Sequence, residues 1–136
     1  MSRKRQRRLE RLARTFEELR KVAQRRLEAG VLEREKQRQE HAAIVAALEH
    51  TGLFRDLALA SAARRLNEIT RAIAKSDDAI AILRTRVAEL HLRARKAHAM
   101  AAALAQQADR LAARRDLAEL ASRKFAASET LLDDIS

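Results

Sequence analysis

The pentapeptide HTGLF, His50 to Phe54, decides the fold because it is the one place in the chain where a helix has a reason to end. The sequence contains no proline and only two glycines. Gly52 suits the left-handed residue that commonly follows the last turn of a helix. We therefore predict a single reversal of the chain at residues 50–53, with a long helix on either side.

The segment before this turn carries a heptad pattern, in which apolar residues recur at alternating spacings of three and four. The pattern then weakens, because Arg26 and Gly30 take seam positions and residues 33–41 are wholly polar. It resumes at Ile44 and Leu48. These features predict a first helix at about residues 4–49. The first seam residues are Leu9, Leu12, Phe16, Leu19 and Ala23.

The segment after the turn has the same spacing with no skip, which predicts one long second helix at about residues 54–128. The predicted fold class is all-α, with two long helices in an antiparallel coiled-coil hairpin that forms a single domain over residues 1–136. The predicted seam of the second helix consists of Leu59, Ala62, Leu66, Ile69, Ile73, Ser76, Ile80, Leu83, Val87, Leu90, Ala94, Ala97, Ala101, Leu104, Ala108 and Leu111.

The unequal lengths of the two helices predict a C-terminal helical overhang. Reflection of the chain about Gly52 sets Ala23 opposite Ile80 and Leu9 opposite Ala94, so the first helix ends near residue 100 of the second. At that point large seam residues give way to alanine, in KAHAMAAALAQQADRLAARR, residues 96–115. We expect this alanine segment to face another protein; the alternatives are a solvated helix or pairing with a second copy.

Reflection also predicts an apolar stripe on the turn-proximal half of the second helix. The polar run 33–41 lies opposite Ala62, Leu66 and Ile69, and Gly30 lies opposite Ile73. Apolar side chains that stay partly exposed tend to mark contact sites. We therefore expect Leu66, Ile69 and Ile73 to contact a partner, the alternative being that long Arg and Glu stems cover them.

The chain is strongly basic, with a formal net charge of +10, and residues 1–26 hold eleven basic side chains against three acidic ones. Such an end attracts an acidic protein, nucleic acid or an anionic membrane surface. The absence of Trp and Tyr disfavours nucleic acid, because single-strand binders stack bases on aromatic rings. The narrow apolar stripe of the first helix disfavours a helix that lies in a membrane.

The sequence offers no catalytic or cofactor chemistry. Two isolated glycines cannot build a phosphate-binding loop, and no cysteine is available for a thiolate metal site. The four histidines lack the i, i+4 spacing of a helical metal pair. We predict no enzyme activity, no cofactor and no metal. No run of apolar residues is long enough to span a bilayer, so we expect a cytoplasmic protein.

The layout resembles the FliJ/YscO family of flagellar export and type III secretion stalk proteins. The resemblance covers nearly the whole chain: its size, a basic start, two long helices of unequal length and a single mid-chain turn. The segment RRDLAELASRKFA, Arg114 to Ala126, is similar to the charged, Leu- and Ala-bearing segment near the C-terminus of that family. The sequence departs from the family in having few aromatic residues around the turn.

The resemblance implies a non-catalytic stalk whose paired termini enter the pore of a hexameric export ATPase. It also implies that the hairpin contacts the export gate protein and escort chaperones, and that the protein reaches the inner membrane only through these partners. Leu66, Ile69 and Ile73 would then contact the gate or the chaperones. The residues implied at the ATPase are Arg3, Arg7, Arg11, Arg14, Leu104, Leu111, Arg115, Leu120 and Phe125.

Two other classes stay open from the sequence. A generic coiled-coil scaffold that associates with itself would fit the heptads, and a non-specific nucleic-acid-binding coiled coil would fit the charge. The resemblance does not distinguish a flagellar system from an injectisome, and it does not identify the cargo.

Overall fold

The computed structural model of the chain describes residues 2–50 and 55–135, and these form two long helices with no strand among them. Helix α1 runs over Ser2–Glu49 and helix α2 over Arg55–Ile135. The two helices lie in close contact, which confirms the predicted all-α hairpin. Of the predicted turn at 50–53, only His50 is described, and its backbone N–H donates to the Ala47 carbonyl at 3.2 Å; residues 51–53 lie outside the described residues.

Both helices are longer than the predicted ranges of about 4–49 and 54–128. Helix α2 continues to Ile135 because the residues after 128 include neither proline nor glycine, so nothing in the sequence stops the helix. The chain divides into two compact units. Unit 1 consists of Met1–Arg14 and Ala94–Ser136, and unit 2 of Thr15–Arg93.

Four cross-helix contacts in unit 2 show that the helices are antiparallel. A Cβ added at Gly30 would lie 3.5 Å from Ile80 Cγ1. Along these four contacts the residue numbers on α2 decrease as those on α1 increase, as an antiparallel pair requires. The other three pairs are Arg34 with Asp77, Gln37 with Ser76, and Glu40 with Arg65.

The pairing predicted by reflection about Gly52 is wrong by one heptad, since Gly30 rather than Ala23 lies against Ile80. Registers that differ by seven residues place the same seam positions face to face, so the heptad pattern alone cannot separate them. Particular contacts distinguish the two registers: Gly30 lies against Ile80, and Asp77 receives a hydrogen bond from Arg34 at 3.0 Å.

The seam of α1 also differs from the prediction. Leu12 and Leu19 are exposed, whereas Ala13 is buried and Arg20 is half-buried. The alternation of three and four continues through the polar run, which therefore belongs to the seam and does not interrupt it. The described seam of α1 consists of Gln6, Leu9, Ala13, Phe16, Arg20, Ala23, Leu27, Gly30, Arg34, Gln37, His41, Ile44 and Leu48, all buried or half-buried.

The predicted seam of α2 is confirmed over Ala62–Ala108, because every predicted seam residue in this range is buried or half-buried. Only its two ends, Leu59 and Leu111, are exposed. Among the side chains of unit 2 whose burial is described, Ile80 is the most deeply buried, at 1% exposure. Complete burial of one such aliphatic side chain stabilises the fold by about 1.5 to 3 kcal/mol.

Part of the alanine segment, residues 96–115, packs within the chain and is not free to face another protein. In unit 1, Ala13 of α1 is buried together with Ala94, Ala97 and Ala101 of α2. Alanine lets two helix backbones approach closely, so these positions form an intramolecular seam of small residues. Exposure begins after Ala108, and every side chain from Asp109 to Asp134 is exposed. The predicted overhang therefore starts later than residue 100.

Two isoleucines on different sides of one turn of α2 test this packing. Ile80 is buried and Ile82 is 68% exposed. We expect Ile80→Ala to lower the free energy of unfolding by about 2 to 5 kcal/mol, because it removes buried atoms and leaves a cavity. The matched variant Ile82→Ala should change it by less than about 0.5 kcal/mol. Urea denaturation followed by far-UV circular dichroism measures both, and equal losses would contradict the described burial.

Gly30 provides a gain-of-stability test. A methyl group there would make an ordinary contact with Ile80 at 3.5 Å and no shorter one, while alanine restores the helix propensity that glycine lacks. We expect Gly30→Ala to raise the free energy of unfolding by about 0.5 to 1 kcal/mol. The exposed neighbour supplies the control, since Ala29→Gly should lower it by a similar amount. A destabilised Gly30→Ala variant would mean that Ile80 lies closer than described.

Candidate protein-interaction surfaces

The first four turns of α1 present a cationic face in unit 1. Leu9 and Ala13 point into the packed seam, and the helical period puts the basic residues on the opposite side. This cationic face consists of Arg3, Lys4, Arg7, Arg8, Arg11 and Arg14, all of them exposed. It extends about 16 Å along the helix axis.

Glu10 is the only acidic residue of Met1–Arg14. Its carboxylate accepts a hydrogen bond from the Gln6 side-chain amide at 3.2 Å. Exposed charges at this density act mainly by attracting and orienting an anionic partner, and the attraction weakens with salt.

The last part of α2 forms the second surface of unit 1, and we call residues 109–134 the tail. All of its side chains are exposed, including the large apolar ones. Leu111, Leu120 and Phe125 are exposed by 52%, 55% and 68%. Such a length of uncovered leucine and phenylalanine is typical of a segment that binds a partner.

The structure places all nine residues predicted at the ATPase in the same compact unit. Arg3, Arg7, Arg11 and Arg14 come from α1, and the other five come from the C-terminal part of α2. Only Leu104 is half-buried, because it belongs to the intramolecular seam. The remaining eight are exposed. Whether any of them contacts an ATPase stays a prediction.

A second apolar pattern in the tail was missed at the sequence level. Its positions alternate by four and three but fall between those of the seam, so they lie on the opposite side of α2. The signal was present in the sequence, but it was hidden because only the seam register was followed past residue 108. We call this the tail stripe, and it consists of Ala113, Leu117, Leu120, Lys124, Ala127 and Leu131.

The expected partner stripe in unit 2 is covered by the chain itself. Ile69 is buried at 3% exposure, and Leu66 and Ile73 are half-buried. The expectation that these residues are poorly covered is therefore wrong. The register shift explains it, because the seam of α1 continues through Arg34, Gln37 and His41, whose side chains are half-buried. Contact between these three residues and a partner stays a prediction. The exposed apolar surface from which it was predicted is absent from the described structure.

The outer face of α2 in unit 2 offers a different apolar feature. Ile82 is 68% exposed. It lines a shallow depression together with Ala81, Thr85, Arg86 and Glu89. An isolated apolar side chain of this kind is common on protein surfaces, so the depression by itself does not mark a contact site.

Polar contacts join the helices near the turn-proximal end of unit 2. Arg65 donates from Nε to Glu40 Oε1 at 2.9 Å and from Nη1 to Glu68 Oε2 at 3.2 Å. The pKa of Arg65 is raised above its ordinary value by the side-chain hydrogen bonds to Glu40 and Glu68 and by their negative charges. Arg65 therefore stays charged throughout the accessible pH range.

Residues 2–50 and 55–135 supply little for other chemistry. Within these ranges, no three His, Asp or Glu side chains come together in a way that could hold a metal ion. Neither helix, over the part that is described, has a stretch long and apolar enough to cross a membrane.

The fold and surfaces define a class of protein, an all-α helical hairpin with a cationic face and an exposed helical end. No protein-family model, curated protein or solved structure matches the chain. The function is therefore inferred from the described surfaces and from the resemblance in layout.

The cross-helix ion pairs yield a test of the described register. Arg34 is 19% exposed and lies 3.0 Å from Asp77. A double-mutant cycle with Arg34→Gln and Asp77→Asn should give a coupling of about 0.5 to 1 kcal/mol, because partial burial reduces screening. The same cycle at the exposed pair of Arg65 and Glu40 should give a smaller coupling, which about 0.5 M NaCl removes. No coupling at Arg34 would contradict the described pairing.

Proposed function

We propose that the protein is a non-catalytic stalk of a flagellar or type III protein export apparatus. The observation that supports the proposal most is the make-up of unit 1, which combines the N-terminal 14 residues with the C-terminal part of α2. One unit thus carries both the cationic face and the exposed tail. These are the two features that a stalk needs in order to enter a ring and be held there.

The tail is suited to the pore of a hexameric ATPase because it is slender. A single helix with its side chains is about 10 to 12 Å across. Its exposed Leu111, Leu120 and Phe125 can pack against apolar groups that line a pore, and burial of such side chains supplies binding free energy. Arg115, exposed on the same helix, adds a charge that an acidic ring can meet.

The cationic face is suited to the rim of such a ring. Arg3, Arg7, Arg11 and Arg14 are exposed along one side of α1, and complementary charge mainly accelerates association and orients the partner. In this proposal the tail supplies the buried contact, and the cationic face supplies an electrostatic contact with the rim of the ring.

The proposal includes a second contact, to the export gate protein or to escort chaperones, through unit 2. Ile69 is buried, and Leu66 and Ile73 are half-buried, so in this proposal the contact needs exposed residues of unit 2 beyond these three. The protein would work in the cytoplasm and reach the inner membrane only through these partners.

Truncation after Ala108 tests the ATPase contact while leaving the packed seam intact. We expect a chain that ends at Ala108 to keep its helical hairpin, because residues 109–134 are exposed throughout, and to lose binding to the export ATPase hexamer. Pull-down with the purified ATPase measures the binding, and far-UV circular dichroism verifies the fold. Undiminished binding by the truncated chain would refute the proposed insertion.

Charge reversal separates the cationic face from general basicity. The double variant Arg7→Glu, Arg11→Glu should weaken ATPase binding by about tenfold or more, since each change turns an attraction into a repulsion. The control is Arg25→Glu, Arg26→Glu, which makes the same change of net charge at exposed residues of unit 2 and should weaken binding by no more than about twofold. Equal effects in titration calorimetry would show that only net charge matters.

A further inference from the structure

The tail carries an apolar stripe that is separate from the extension of the seam that joins α1 and α2. If the seam alternation continued past Ala108, every second position would be polar, because its positions would be Leu111, Arg115, Ala118, Ser122, Phe125, Glu129 and Leu132. The tail stripe lies on the other side of the helix and is more apolar, with Leu117, Leu120 and Leu131 exposed by 67%, 55% and 63%. A stripe that faces away from the intramolecular seam is available to another molecule.

The charges of the tail are divided along its length. Residues 110–124 contain five basic and two acidic side chains, whereas residues 125–134 contain three acidic and no basic ones. Two such helices repel each other when they lie parallel and in register, because like blocks then face each other. They attract each other when antiparallel, because residues 110–119, with three basic and two acidic side chains, then face the three acidic side chains of residues 125–134 of the second copy.

From the stripe and these charge blocks together, we infer that the tails of two copies of this chain pair as an antiparallel coiled coil through the tail stripe. The inference does not depend on the proposed function, because it concerns the isolated protein. A second copy fits better than a foreign partner because one surface supplies both halves of the complementarity, as a two-fold symmetric contact requires.

The pairing has a natural centre near residue 122. With the axis there, Ala113 lies opposite Leu131 of the second copy, and Leu117 lies opposite Ala127 of the second copy. Both of these layers join a large residue to a small one, which keeps the distance between the helix axes even. At the end of the tail, Arg110 meets Asp134 of the second copy.

One charged residue lies within the tail stripe itself. Lys124 falls opposite Leu120 of the second copy, where its methylene stem can cover the leucine while the ammonium group stays in water. Asp116 of the second copy lies one turn away, and its carboxylate can form an ion pair with this ammonium group. A polar residue at such a position weakens a coiled coil but selects its orientation, so we expect a reversible dimer.

Sedimentation of the full chain tests the inference. We expect the mass to rise from monomer to dimer with concentration, and Leu117→Asn, Leu120→Asn to weaken the dimer by about tenfold or more. The control, Leu111→Asn, Leu132→Asn, alters leucines of similar exposure, 52% and 67%, that lie off the stripe; it should change the dissociation constant by less than about twofold. A monomer at all concentrations, or equal weakening by the two double variants, would overturn the inference.

Orientation can be measured separately because the natural chain has no cysteine. In the double variant Ala113→Cys, Leu131→Cys, the two thiols of one chain are about 27 Å apart along the helix and cannot bridge each other. Antiparallel tails would form disulfides between residue 113 of one copy and residue 131 of the other, which peptide mass mapping identifies. Disulfides that join 113 to 113 would mean parallel tails and would refute the inference, as would the absence of any interchain disulfide.

Salt adds an independent readout of the charge blocks. Opposed blocks attract, so raising NaCl from about 50 mM to about 500 mM should weaken the dimer by several-fold. If the dimer dissociation constant decreased over the same range, the facing charge blocks would repel each other, which contradicts the antiparallel arrangement. None of these measurements uses the export ATPase, so they can fail while the proposed function holds, and the reverse is also true.

Discussion

The register of the two helices is the constraint on which the arrangement of unit 2 depends, and the contact between Gly30 and Ile80 identifies it. A heptad seam tolerates any shift by seven residues, because each such shift still places seam residues face to face. Ile80 is the most deeply buried side chain described in this unit, and it lies where α1 has no side chain of its own. The hydrogen bonds from Arg34 to Asp77 and from Ser76 to Gln37 agree with the register in which Ile80 lies against Gly30.

Unit 1 obtains its packing from small residues. Its buried side chains are alanines, Ala13 on α1 and Ala94, Ala97 and Ala101 on α2. Such layers bury less apolar area than isoleucine layers and stabilise the pair less, but they allow close approach of the backbones. The same unit leaves residues 109–134 exposed. In physical terms the N-terminal and C-terminal parts therefore form a lightly packed pair with an uncovered helical end, which suits both of the roles proposed for it.

The fold could be predicted from the sequence because the heptad spacing of α2 has no skip and because only one place favours a turn. The seam residues from Ala62 to Ala108 followed directly from this spacing. The pairing of the helices did not, since reflection assumes the shortest possible return and the period cannot distinguish shifts of seven. The α1 seam was misassigned at Leu12 and Leu19 because leucine was preferred to Ala13 and Arg20, although long polar side chains can lie in a seam with their stems packed.

The candidate surfaces were predicted unevenly for related reasons. Exposed arginines on the first helix follow from the helical period once the seam is known. The stripe of Leu66, Ile69 and Ile73 was judged uncovered because its partners are polar, but in the described register these residues are covered nonetheless. The tail stripe was overlooked because it lies outside the seam. For Leu66, Ile69 and Ile73 the helical period gave the correct side of the helix, and the missing information was which residues lie opposite.

The register of unit 2 is tested most directly by disulfide trapping in a chain that has no natural cysteine. The double variant Gly30→Cys, Ile80→Cys should form an intramolecular disulfide under mild oxidation and stay helical, because these positions are in contact. The double variant Ala23→Cys, Ile80→Cys, displaced by one heptad or about 10 Å, should stay reduced. Efficient closure of the second pair and not of the first would contradict the account.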